Sequence, residues 1–327
     1  MTYSSGSLIS ASDYNTFTTT AGGLNDIWAT GSGDKGWGQT AFTAAATGGT
    51  VTATQWASLV NNLATSGSQT NTTLTSRSAP TAGTTIGILA NVATDITSVT
   101  TNRGNAAAVG TQSSTWTGAA AKTSATSNGS NGAWTITWTQ TVTFPSADQA
   151  RYFWNAGGRV TLDMSFTANS VDNDPEWTRL SGYMGTLTLV GRVNGATQQI
   201  AGTGYTGFTR GGSGGTQTTL ASTTGWYNLT GTPTTLIQIN DASAPYTGDN
   251  IKVTGASSAT VLTLVTTWNS SSRTGAGETT NISGGTDTAS PFTAFGTAPA
   301  VVCRFIPPST TYLTNSWGTP AVASSVA

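Results

Sequence analysis

The chain of 327 residues has no histidine, a single cysteine, and charge on only 8% of its positions. Without imidazole the Ser-His-Asp and Cys-His triads, the usual zinc sites and the commonest general base are all excluded. One cysteine, Cys303, cannot build an internal disulfide framework or a thiolate cluster. Set between Val302 and Arg304, it reads as a small buried apolar residue and not as a reactive thiol. The twelve basic residues are scattered, whereas nucleic acid demands clustered Lys and Arg to displace counterions, so nucleic acid is not an expected partner. No apolar run is long enough to span a bilayer, which removes a membrane partner from the expectation. Met1 to Asp13 has neither a basic n-region nor an apolar h-region, so synthesis in a cytoplasm without a signal is expected.

What is abundant is Gly, Thr, Ser and Asn, together with 11 Trp and a net charge of -1. A disordered chain would combine high net charge with few aromatics, so this one should fold. Thr-rich alternation broken by Gly argues for a mainly β protein, sandwich or jelly-roll-like. A small helical N-terminal region and one short helix between strands complete the expected fold class.

The most explicit stretch is 134–166. Trp134, Ile136, Trp138, Val142 and Phe144 alternate with Thr, and Gln140 is the one polar residue at an even position. That is the period of a half-buried strand. Pro145-Ser146-Ala147-Asp148-Gln149 then reads as a helix start, with Ser146 and Gln149 forming a reciprocal capping box and Asp148 at the positive end of the dipole. The helix runs from Ala147 to Asn155 and carries Tyr152, Phe153 and Trp154. Gly157-Gly158 supplies the positive φ that ends it. Val160, Leu162, Met164 and Phe166 form a second alternating strand, and the two strands and the helix should share a core.

Upstream, Ser10 with Asp13 and Thr52 with Gln55 mark two further helix starts, the second leading into a stripe of Trp56, Leu59, Val60 and Leu63. Ile86 to Val99 gives another helical pattern. The glycines of 31–39 lack the Lys-Ser/Thr and preceding strand of a phosphate loop, and read as a tight loop anchored by Trp28 and Trp37 that docks on a neighbour. Residues 102–131 have no periodicity. Downstream, strands are expected at 185–193, 235–240, 251–253 and 261–268, separated by Gly-rich loops. The organisation that follows is an N-terminal helical and loop anchoring region (1–110), a linker or long loop (111–133), a β-rich domain (134–306) and an extended C-terminal arm (307–327).

Carboxylate chemistry is what the composition leaves open. Asp172-Asn173-Asp174-Pro175-Glu176-Trp177 reads as a turn. On an extended backbone Asp174 and Glu176 would share a face, with Trp177 able to stack a sugar, which makes them the carbohydrate candidates. Asp172 and Asp174 are oxygen donors for calcium, but the glycine and closing Glu of an EF-hand loop are missing. A polar turn beside a core tryptophan outweighs both readings, and no catalytic residue, metal or cofactor is assigned. Exposed aromatics such as Trp226-Tyr227-Asn228 would suit a glycan-binding module.

Four patches carry a resemblance: 6–15 (GSLISASDYN), the glycine loop from Ile27-Trp28 to Gln39, Val51 to Trp56, and Phe144-Pro145-Ser146 with Ala150 to Gly158. They resemble virion structural proteins of tailed bacteriophages, particularly cyanophages. The resemblance implies a non-enzymatic component of a tail, baseplate, fibre or capsid decoration, located in the virion, whose partners are copies of itself and other virion proteins. A glycan- or receptor-binding adhesin, with host-surface glycan as partner, is the alternative, and a carboxylate-dependent depolymerase a third. Tyr152, Phe153, Trp154, Trp37 and Trp28 are the expected subunit contacts, because three consecutive large aromatics on so short a helix cannot all turn inward.

Overall fold

The computed structural model describes residues 10–82, 91–107, 110, 113, 117–118, 126–127, 134–166, 174–191, 197–243, 246–271 and 299–327. Among these residues four helices come first: α1 (Ala11–Thr18), α2 (Asn25–Trp28), α3 (Ala53–Gln69) and α4 (Val92–Thr101). The starts of α1 and α3 are fixed by reciprocal capping. Ser10 N donates to Asp13 Oδ2 at 2.8 Å while Asp13 N donates to Ser10 Oγ, and Thr52 N donates to Gln55 Oε1 at 2.9 Å while Gln55 N donates to Thr52 Oγ1. Trp56, Leu59, Val60 and Leu63 are buried along α3, and Tyr14 and Phe17 of α1 meet Trp56 edge-on. The helix expected from Ile86 begins, among the described residues, at Val92; Ile86 itself lies outside them.

Among the described residues of 102–131, the stretch without periodicity, lie three short strands, β1 (Asn105–Ala106), β2 (Thr117–Gly118) and β3 (Thr126–Ser127). Two-residue strands take their place from their partners and leave no periodicity to read. Then come β4 (Trp134–Thr143), α5 (Ala147–Asn155) and β5 (Arg159–Ser165), within a residue of the expected unit. The cap of α5 is one-sided: Gln149 N donates to Ser146 Oγ at 3.2 Å, but the Gln149 side chain meets the Ser146 hydroxyl and not its backbone N–H. Gly157 has φ +101°, and a Cβ on Gly158 would strike the Phe153 ring, so both glycines are needed where the helix ends.

The stretch read as a turn opens a helix, α6 (Asp174–Met184). Pro is favoured in a first helical turn because its missing N–H would be unpaired there anyway, and Trp177, Leu180 and Met184 repeat at helical spacing on the buried side. The remaining strands are β6 (Leu187–Val190), β7 (Gln198–Ile200), β8 (Thr203–Tyr205), β9 (Phe208–Arg210), β10 (Thr216–Leu220), β11 (Thr234–Asn240), β12 (Asn250–Ser257), β13 (Val261–Ser270), β14 (Ala300–Ile306) and β15 (Ala321–Val326).

The fold is mainly β, and the described residues form three sheets. The largest runs β10-β11-β12-β13-β4-β15-β2, with β3 also on β4; the second is β14-β5-β6-β9 and the smallest β1-β7-β8. The strand, helix, strand unit therefore crosses between sheets: β4 lies inside the first, β5 inside the second, and α5 joins them. On β4 the even positions from Ile136 to Val142 face inward. Trp138 tilts against Trp268 of β13 at 5.6 Å, and Trp177 of α6 stacks on Trp268 at 5.4 Å and 12°. Each such pair contributes about 0.5–1.5 kcal/mol beyond the area it buries. One continuous core extends from Tyr14 through both large sheets to Val322.

The expected C-terminal arm lies on its own chain. Leu313 and Trp317 are buried, and β15 pairs antiparallel with β4, Val322 opposite Val142. Val322 finds an apolar slot beside β4, which converts a segment with a weak pattern into a sheet strand.

Candidate functional site

The aromatic residues singled out in the sequence converge on one junction, where the glycine loop docks on α5. Gly31, Gly33, Gly36 and Gly38 all have positive φ, and the loop folds back on α2 through Trp37 N to Ile27 O at 2.8 Å and Gln39 N to Trp28 O at 2.9 Å. Gly38 lies against the Tyr152 ring so closely that an added Cβ would sit 2.4 Å from it.

Polar groups lock the loop in place. Trp37 Nε1 donates to the Asn155 carbonyl at 3.2 Å, and Asn155 Nδ2 donates to the carbonyls of Gly36 and Gly33 at 3.2 and 3.3 Å. Arg151 donates to the carbonyls of Thr30 and Lys35 and pairs with Asp148. Asp34 pairs with Arg103 at 2.8 Å and Lys35 with Asp26 at 2.7 Å. From the opposite side the Tyr227 hydroxyl donates to Asn155 Oδ1 and lies 3.0 Å from the Gly33 carbonyl. Burial raises the Tyr227 pKa far above its ordinary 10.0. Trp226 stacks on Trp154 at 5.9 Å.

The C-terminal segment closes the junction. Gln39 Nε2 donates to the Thr314 carbonyl at 3.0 Å and Gln39 Oε1 accepts from Thr314 N at 2.9 Å, while the Ser316 hydroxyl donates to the Trp37 carbonyl.

The five expected subunit contacts are therefore internal. Trp28, Trp37, Tyr152, Phe153 and Trp154 are exposed by 7%, 1%, 9%, 0% and 0%. A short helix can turn three consecutive aromatics inward because it is wrapped: the glycine loop takes Tyr152, Phe144 and Phe305 take Phe153, and Trp226 takes Trp154. Gln39, Asn155, Tyr227 and Thr314, which complete the junction, carry no local sequence signal. The partners that reach across the junction are more than 70 positions away, and only the glycine spacing of the loop hints that a backbone must approach something closely.

The carbohydrate and calcium candidates are not assembled into a site. Asp172 lies outside the described residues. Asp174 and Glu176 stand on a helix, so the extended backbone on which the expectation of a shared face rested is not formed. Glu176 is 1% exposed and Trp177 is committed to Trp268. No group of three His, Cys, Asp or Glu side chains is placed to hold a metal ion among the described residues. Cys303 is buried and its thiol is pushed up to about 12 by desolvation and, secondarily, by Asp163.

A surface groove of about 520 Å³ opens between α3, the extended segment 71–77 and Tyr312. One side of this groove is set by the αL turn at Asn71 (φ 50°) after α3, and by Leu74 folding over Gly67. Arg77 lines it, ion-paired to Asp95 beneath, both almost wholly buried.

No family model, curated protein or solved structure matches this chain.

Proposed function

We propose that the chain is a non-enzymatic structural subunit of a tailed-bacteriophage particle, acting in the virion in company with copies of itself and other virion proteins. The observation that carries the reading is the junction just described, in which the N-terminal glycine loop, α5 and the C-terminal segment interlock. Its ionic groups are engaged within the chain: Asp34, Lys35, Arg103 and Arg151 tie parts of this chain to one another. A subunit of a particle must keep its shape under load, and internal crosslinks between distant parts of the chain serve that end.

A second feature supports assembly. The eight-stranded sheet ends at β10, whose residues Thr216, Gln217 and Thr218 are exposed and uncharged. An uncharged edge does little to repel a neighbouring subunit, and edge strands offer unpaired backbone groups. The resemblance in the glycine loop and around α5 falls on this same junction.

Peptide mass spectrometry of purified particles tests the reading. The chain should be recovered at many copies per particle; particles that contain none of it would end the proposal.

A further inference from the structure

We infer that the groove beside Tyr312 is a binding site for a neutral saccharide. The inference stands apart from the particle reading, since a structural subunit can exist with or without such a site. Tyr312, 37% exposed, is the one large hydrophobic residue left exposed among the described residues, and it stands at the rim of this groove. The volume, about 520 Å³, falls in the range of small-ligand sites.

The lining has the chemistry of sugar recognition: an aromatic face for the C–H side of a pyranose ring, and neutral groups that both donate and accept. Thr72 and Thr75 direct their hydroxyls into the protein, Thr72 to Thr70 at 2.8 Å and Thr75 to Asp95. Ser68, Asn71, Thr73 and Ser76 are exposed along the groove, and their side chains make no hydrogen bond within the chain among the described residues. They supply three hydroxyls and an amide to a ligand.

Charge sets the class. Arg77 is the one charged residue lining the groove, and Asp95 compensates it. Neither a carboxylated nor a sulfated sugar would find a free cation there, so hydroxyl-rich, uncharged oligosaccharides fit best.

The probes are neutral tetrasaccharides built on glucose, galactose, mannose and N-acetylglucosamine, with sialylated and sulfated counterparts, titrated into the intact protein by calorimetry and saturation-transfer NMR. At least one neutral member should bind, Tyr312→Ala should weaken it by about tenfold or more, and Tyr312→Phe should retain it. Thr73→Val, a change at an exposed side chain, should weaken binding while leaving the circular dichroism spectrum unchanged. Absence of binding by every neutral member, binding undiminished in Tyr312→Ala, or preference for the anionic sugars would overturn the inference.

Discussion

Gln39 and Thr314, 275 positions apart, hold each other by a reciprocal amide-to-backbone pair: Thr314 N donates to Gln39 Oε1 at 2.9 Å, and Gln39 Nε2 donates to the Thr314 carbonyl at 3.0 Å. Gln39 is 8% exposed, so water has little access to replace either bond. Gln39→Ala leaves the Thr314 N–H and carbonyl without these partners and should cost about 1–3 kcal/mol. Urea denaturation gives the number. Limited proteolysis should in addition cut the native variant earlier within 309–320 than the parent, because that segment loses its tie to the loop.

Gly38 and Gly48 both have positive φ, but only Gly38 faces a ring, and nothing lies within 4 Å of a Cβ built on Gly48. Gly48→Ala therefore isolates backbone strain, about 1 kcal/mol. Gly38→Ala should cost about 1–3 kcal/mol more, because the methyl must displace Tyr152 or the loop. Equal losses in the two variants would show that the loop does not rest on α5 as described.

Gln140 obeys the inward parity of β4 and is 0% exposed, yet among the described residues neither atom of its amide has a hydrogen-bond partner. Leu264 stands opposite it on β13 and Ser324 on β15. Replacing the amide with a thioether of similar length, Gln140→Met, removes an unpaired buried group, and a gain of about 1–3 kcal/mol is expected. A loss of stability in thermal or urea unfolding would mean that the amide is satisfied inside the core.

The Cys303 thiol, raised from 9.0 to about 12, and the Tyr227 phenol, raised above 10.0, are both held in their neutral forms by burial. A raised folded pKa means that the unfolded chain loses its proton first. The stabilisation is thus whole below about pH 8.5 and declines as pH climbs toward the folded values. From neutral pH upward, denaturation midpoints should hold to about pH 8.5 and fall above it. A disulfide reagent at pH 8 should leave the native thiol untouched and modify one thiol per chain after unfolding; prompt labelling of the native protein would contradict the buried placement.

The strand, helix, strand unit was legible because each part carries its own signal: alternation in β4, Ser146 and Asp148 at the helix start, Gly157 at its end. α1 and α3 were legible through their capping pairs, whereas the four-residue α2 has no cap side chain to announce it. Asp174 to Trp177 misleads because Asp and Pro serve a turn and a helix start equally well, and the deciding apolar residues, Leu180 and Met184, come later. β15 was illegible because Val322 acquires its meaning only beside Val142. The inward turn of Tyr152, Phe153 and Trp154 depends on a loop, a strand and a Trp-Tyr pair brought from three other parts of the chain, and no spacing within the helix announces them.

A cryo-electron microscopic reconstruction of the intact particle tests the structural-subunit reading most directly. Density matching this chain should recur at symmetry-related positions, with the glycine loop, α5 and Gln39–Thr314 interlocked inside each copy and neighbouring subunits packed on other surfaces. A complete reconstruction in which every position is filled by other chains would contradict the account.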